Sequence, residues 1–227
     1  MSKYVAEFIG TFALILIGAG AVCVNGLTGG SVGLVGIALA HGLTIMTMVY
    51  ALGHVSGGHF NPAVTTAMAV TRRIETKDAV AYIVAQLAGA STAAFLLSYW
   101  FPRASGAPIA LGACALMSGI SPTAGILLEG VLTFFLVTVI WGVAVDARGA
   151  KPAVGLAIGL TITLDILMGG PVTGAAMNPA RAFGPALISG SWVNHVVYWI
   201  GPILGGILAA LLYDGMFLKE PAKSRRS

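Results

Sequence analysis

The sequence predicts an all-α membrane protein: six transmembrane helices plus two re-entrant half-helices, arranged as two inverted three-span repeats. Three observations carry this expectation. Of 227 residues 57% are hydrophobic and only 9% charged, with a mean hydropathy of +0.92; a soluble domain carries about 25% charged residues and needs them to wet its surface. Six apolar windows are each long enough to cross a hydrocarbon core, which takes about 20 helical residues. The second half of the chain also repeats motifs of the first at a nearly constant offset.

The first window, 4–24, follows Lys3 and is interrupted by Glu7. A secretory leader has a purely apolar core, and the surroundings of Glu7 recur later, so this segment reads as a retained span. The second window is 31–52. After it comes a Gly-rich, strand-like stretch, His54 to His59, and then a short apolar run, 61–70, that opens on Asn61-Pro62-Ala63. Asn is a favoured N-cap and Pro fits the first helical position, so Asn-Pro-Ala reads as a helix start. About ten residues at 1.5 Å each cover only half of a ~30 Å core. The third window is 78–98, and residues 99–123 form an extracellular connecting loop. The fourth and fifth windows are 124–145 and 152–169. A second Gly-rich stretch, Gly169 to Ala176, leads into the short run 178–188, which opens on Asn178-Pro179-Ala180. The sixth window is 192–213, and 214–227 reads as a cytoplasmic tail. The whole chain, 1–227, is a single domain with repeats at about 4–98 and 124–213.

Charge orients the chain. If it crosses six times, Lys3, Arg72, Arg73, Lys77, Arg148, Lys151, Lys219, Lys223, Arg225 and Arg226 share one side, and Arg103 alone takes the other. The positive-inside rule makes that side, with both termini, cytoplasmic. The cell membrane is the expected location. Arg181 falls inside a short apolar run, where a charge costs at least ~2.5–3.5 kcal/mol and calls for a function.

Glu7 to Phe12 returns as Glu129 to Phe134, His59-Phe60-Asn61-Pro62-Ala63 as Ala176-Met177-Asn178-Pro179-Ala180, and Tyr82 with Gly89 as Tyr198 with Gly205. An odd number of spans per copy turns the second copy upside down, and inverted repeats with broken helices at the midplane are a transport architecture. Irregular backbone at that depth survives only where protein buries it or water wets it.

Other classes are set aside. A net charge of +4 without a basic stripe does not suit nucleic acid. Cys23 and Cys114 are too few and too isolated for a disulfide framework or a metal site. His54 and His59 are five apart, not at the four-residue helical spacing of a metal pair, and lack the carboxylate or thiol company an enzyme needs. No catalytic residue, metal or cofactor is expected. An ion-coupled carrier, the rival transport reading, needs titratable groups at its midplane, where this sequence places amides.

Two Asn-Pro-Ala boxes in Ser-Gly-Gly-His and Ala-Arg contexts, within six spans, resemble the aquaporin (major intrinsic protein) family from Glu7 to about Tyr213. The resemblance implies a passive channel for water and small neutral solutes that excludes protons and ions, with a glycerol- and urea-type facilitator as the alternative. It also implies a homotetramer in a lipid bilayer. Asn61 and Asn178 would meet at the midplane, where each half-helix N-terminus places about half a positive charge. Their carboxamides would donate to the oxygen of a passing water, interrupting proton hopping. Backbone carbonyls of Gly57, Gly58, His59, Gly174, Ala175 and Ala176 would form an acceptor ladder. Alignment places the outer constriction at His41, Ile166, Ala175 and Arg181, a quartet similar to that of the plant tonoplast intrinsic proteins, several of which pass ammonia or urea. Glu7 and Glu129 would be buried acids that hold the re-entrant loops. Asp165 would buttress the loop before Asn178 or partner His41. Ala182 and Tyr198-Trp199 place the chain on the water-channel side of the family.

Overall fold

A computed structural model describes residues 1–101 and 110–218. Arg103, Lys219, Lys223, Arg225 and Arg226, which help to orient the chain by charge, lie outside the described residues.

Every regular element among the described residues is helical. Six helices are long and apolar enough to cross a membrane: α1 (Ser2–Leu27), α2 (Gly33–Ser56), α4 (Thr76–Trp100), α5 (Pro122–Val145), α6 (Lys151–Thr173) and α8 (Val197–Met216). Two are short: α3 (Pro62–Val70), with 9 residues, and α7 (Pro179–Ser189), with 11. The long helices present apolar side chains outward, Leu127, Phe135, Leu164, Leu204 and Leu208 among them. A soluble protein could not expose that much contiguous apolar surface.

Both short helices start as their caps dictate. Asn61 is extended (φ −157°), and its Oδ1 accepts the Ala63 N–H at 2.8 Å. Asn178 (φ −152°) accepts from Ala180 at 3.0 Å and Arg181 at 3.2 Å. Such caps contribute about 0.5–2 kcal/mol each. Ser121 caps α5 in the same way, ahead of Pro122.

The boundaries correct the sequence reading at four places. Residues His54 to Ser56 and Gly169 to Thr173 are helical, not strand-like. The helices break one turn later, at Gly57 (φ 89°) and Gly174 (φ 91°), where glycine takes the left-handed conformation without a Cβ penalty. The last span begins at Val197, because Trp192 to His195 form a turn with Asn194 at φ 55°. It then runs to Met216, so 214–216 belong to the helix and not to the tail. Finally, α1 and α5 each contain a π-helical turn, Leu14–Ala19 and Trp141–Val145, which no periodicity argument foresaw.

Helix α1 runs along α4, α2 along α6, and α5 along α8. Apolar helices gain little by leaving lipid, so close backbone approach decides packing. Gly89 lies against the Phe8 carbonyl, and Gly205 against Gly130, where a Cβ would collide with backbone. The half-helices exchange sides: α3 packs on α8 of the second repeat, and α7 on α4 of the first.

One end of the bundle gathers the ion pairs. Lys3 binds Asp78 at 2.7 Å, and Arg73 binds Asp214 at 2.6 and 3.0 Å. Asp214 also accepts the Trp141 indole N–H at 2.9 Å. Arg148 pairs with Asp146 and holds its carboxyl well below the usual carboxylate range. The described loops at the other end, 28–32, 110–121 and 190–196, carry no Asp, Glu, Lys or Arg.

Candidate conducting path

Two cavities run in series through the bundle. The inner one, about 70 Å³, is bounded by Ile45, Val49, Leu136, Ile158 and Ile162 on its apolar side and by Gly57 to Asn61 and Ala175 to Asn178 on the other. At roughly 10–15 Å³ of such space per water, it admits about five to seven waters, a file and not a pool. The second, about 400 Å³, opens at the uncharged end and includes Gly174. His41, Ile166 and Arg181 line both cavities, so they mark the waist between them. Ala175 lies just inside that waist.

The N-termini of α3 and α7 meet at mid-path and are cross-braced. The Asn61 carboxamide donates to the Met177 carbonyl at 2.8 Å, and the Asn178 carboxamide to the Phe60 carbonyl at 2.9 Å. One N–H of each amide is therefore committed to the opposite repeat. This refines the sequence picture: each asparagine has a single amide hydrogen left uncommitted by that brace. Phe60 (φ 48°) and Met177 (φ 50°) sit in the left-handed region to aim those carbonyls, at a cost of order 1–3 kcal/mol per residue.

Two buried acids hold that backbone. Glu7 accepts the Ser56 hydroxyl (2.7 Å) and His59 N–H (3.0 Å) on Oε1, and the Phe60 N–H (2.6 Å) and Gln86 amide (2.7 Å) on Oε2. Glu129 accepts the Thr173 hydroxyl (2.7 Å) and Ala176 N–H (2.9 Å) on Oε1, and the Met177 N–H (2.8 Å) on Oε2. Tyr82 donates to the Ser56 carbonyl and Tyr198 to the Thr173 carbonyl, at 2.7 and 2.8 Å. His59 lines the inner cavity, tied to Thr65 Oγ1 at 3.1 Å and edge-on to Tyr82.

Arg181 is buried, and its guanidinium donates to the Gly112 carbonyl at 2.6 Å. Gly112 (φ 71°) lies in the loop 110–121, against Ala19 so closely that no Cβ fits. Across the waist, His41 ties Nδ1 to the Ile37 carbonyl at 2.9 Å and leaves Nε2 without a partner among the described residues. Asp165 takes neither role proposed for it. It makes no hydrogen bond to His41 or to the loop before Asn178, and its Oδ2 is buried without a hydrogen-bond partner.

Several of these residues escaped the sequence reading: Ser56, Phe60, Gln86, Gly112, Thr173 and Met177. A signal for some of them existed. Ser56 and Thr173, like Phe60 and Met177, are separated by the same offset as the two Asn-Pro-Ala boxes. Gln86 and Gly112 have no such counterpart. Among the described residues no group of three or more His, Cys, Asp or Glu lies together as a metal site.

Comparison with known proteins agrees with this geometry. Residues 1–213 match the family described as Major intrinsic protein. The chain is 46% identical over 222 residues to aquaporin TIP4-4 of Zea mays, covering 95% of this chain and 86% of that one. It is 43% identical over 215 residues to aquaporin NIP1-1 of Oryza sativa subsp. japonica, covering 94% and 74%. The fold superposes on the X-ray structure of the aquaglyceroporin from Plasmodium falciparum with a TM-score of 0.82, at 26% identity and covering 95% and 96% of the two chains.

Proposed function

The chain belongs to the major intrinsic protein family of passive membrane channels, which are not enzymes, and from that premise we propose that it conducts water in single file, passes ammonia as well, and rejects protons and ions. The carrying observation is the pair of crossed amides where two half-helix N-termini meet. A water there accepts from Asn61 and Asn178 and so cannot accept along the file, which breaks the proton wire. The summed positive ends of α3 and α7 oppose cations at the same point.

The waist sets the solute choice. Arg181 offers donors that an ammonia nitrogen uses as readily as a water oxygen, whereas neutral His41 has given its Nδ1–H to the Ile37 carbonyl and keeps only an acceptor nitrogen. Ile166 and Ala175 leave the aperture wider than a second polar ring would. This quartet is the one similar to the tonoplast intrinsic proteins, and Tyr198-Trp199, which resemble the water-channel side of the family, go with slow glycerol passage. The end bearing Lys3, Arg73, Lys77 and Arg148 faces the cytoplasm, with both termini there. The cell membrane is its place, and four copies, each a single-domain channel, assemble. The carbonyls of Gly57, Gly58, His59, Gly174, Ala175 and Ala176 provide the acceptors along the file.

The test is stopped-flow shrinkage of proteoliposomes against water, glycerol and urea, together with internal alkalinisation of dye-loaded vesicles after an ammonium jump. Fast water flux with an ammonia rate above protein-free vesicles and slow glycerol supports the reading. Fast glycerol favours the facilitator alternative. An ammonia rate equal to protein-free vesicles leaves a strict water channel.

A further inference from the structure

We propose that Gly18, which lines neither cavity, is a positioning residue that sets the width of the waist, because it lets the His41 ring lie back against α1. Gly18 is buried in the π-helical turn Leu14–Ala19, and that turn packs on α2, which carries His41. A Cβ built on Gly18 would stand 2.4 Å from His41 Cδ2, 2.6 Å from Nε2 and 2.7 Å from Cγ. Three bonded ring atoms at nearly one distance place that Cβ over the face of the imidazole and not at its edge. The ring therefore lies flat on the one residue of the turn that has no side chain to hold it off. Its Nε2 is buried without a hydrogen-bond partner, and its Nδ1 is tied to the Ile37 carbonyl at 2.9 Å. With one nitrogen spent and the other buried, what His41 gives the waist is the position of its ring.

The π-turn puts the glycine where it can do this. The Gly20 N–H reaches the Ile15 carbonyl, five residues back. The extra residue sets successive positions closer around the axis than the ~100° of an α-helix, so Gly18 and Ala19 both face the filter. Ala19 backs its other wall. Gly112, whose carbonyl holds Arg181 at 2.6 Å, rests on Ala19, and a Cβ built on Gly112 would stand 2.8 Å from both the Ala19 Cβ and its carbonyl oxygen. One turn of α1 stands behind both polar residues of the waist, and its first residue, Leu14, lines the inner cavity. Single π-turns inside α-helices occur frequently at functional sites.

A methyl at Gly18 needs about 1 Å more room to reach ordinary carbon contact. Packed backbone gives little, so the imidazole yields, toward the path it lines. The inference rests on the channel reading, and Gly18→Ala in full-length protein tests it. In proteoliposomes its water flux, after subtraction of the protein-free rate, should fall roughly tenfold. The activation energy of the remaining flux should rise by about the 1.4 kcal/mol that tenfold represents. A glycine needed only for packing would reduce the number of working channels and leave that activation energy where it was. His41→Ala supplies the second arm. With the ring gone, adding Gly18→Ala should change water flux by less than about twofold. The double variant should also regain the monodisperse fraction that Gly18→Ala alone loses on heating in detergent. Four results would each overturn the proposal: unaltered flux in Gly18→Ala, a lower flux with the same activation energy, a loss that persists in the His41→Ala background, or failure of both Gly18→Ala and the double variant to fold. Wild-type vesicles with no water flux beyond protein-free ones would instead sink the channel reading and the width with it, while rescue of stability in the double variant would still show that Gly18 seats His41.

Discussion

Glu7 offers the sharpest test of what holds the path open. Glu7→Gln keeps one acceptor oxygen, so the amide retains either the His59 or the Phe60 N–H. The Ser56 hydroxyl can rotate to accept, and Gln86, whose Oε1 has no partner, can turn to do the same. The net loss is one buried backbone donor, about 1–3 kcal/mol. Glu7→Leu strips the acceptor from both backbone N–H groups and from two side-chain donors, at least doubling that cost. The expected order in detergent, read as the monodisperse fraction surviving heating, is wild type, then Glu7→Gln, then Glu7→Leu well below both. In vesicles Glu7→Gln should still conduct water and Glu7→Leu should not. Glu129→Gln and Glu129→Leu should follow the same order, since Glu129 holds Ala176 and Met177 as Glu7 holds His59 and Phe60. If Glu7→Leu were as stable as Glu7→Gln and conducted equally well, the carboxylate would not be what fixes the re-entrant backbone.

Arg181→Val removes a fixed charge and widens the waist at once. At about 5 Å and an effective dielectric near 20, one charge contributes about 3 kcal/mol, so cation leak should rise by up to roughly two hundredfold. Urea flux should rise too, while water changes little; unchanged rejection of both would place the barrier at Asn61 and Asn178. Ile166→His restores a second polar ring and should suppress ammonia more than water in the alkalinisation assay. Asp146→Asn severs the pair with Arg148. Because folding depresses the Asp146 carboxyl, its contribution is present above the ordinary value of 3.8 and is lost as pH falls through the lower folded value. The variant should therefore unfold at lower temperature than wild type at pH 7, and the gap should narrow below about pH 4; a gap independent of pH would assign the effect to packing.

The sequence by itself determined the solvent, the spans and the two-fold plan. Scarcity of charge leaves a bilayer as the surroundings, apolar run length fixes six crossings and two half-crossings, and Asn before Pro starts a helix wherever it stands. These are local or compositional constraints, and they survive without knowledge of any contact. Glu7 and Glu129 were legible as well, since a carboxylate repeated inside two apolar spans must be held by something polar.

What the tertiary structure decided is who meets whom. That Asn61 spends a hydrogen on Met177, 116 residues away, depends on two half-helices converging from opposite ends. Gly112 became the Arg181 clamp only because the loop 110–121 folds down on Ala19, and the same fold set Cys114 against Gly174. Asp165, next to Ile166 in sequence, makes a hydrogen bond to neither of the partners that adjacency suggested. The physical reason is common to all four. Capping and membrane insertion are settled within a turn or a span, whereas a hydrogen bond across the waist exists only after distant backbone has been packed to within about 3 Å, and no local pattern encodes that closure.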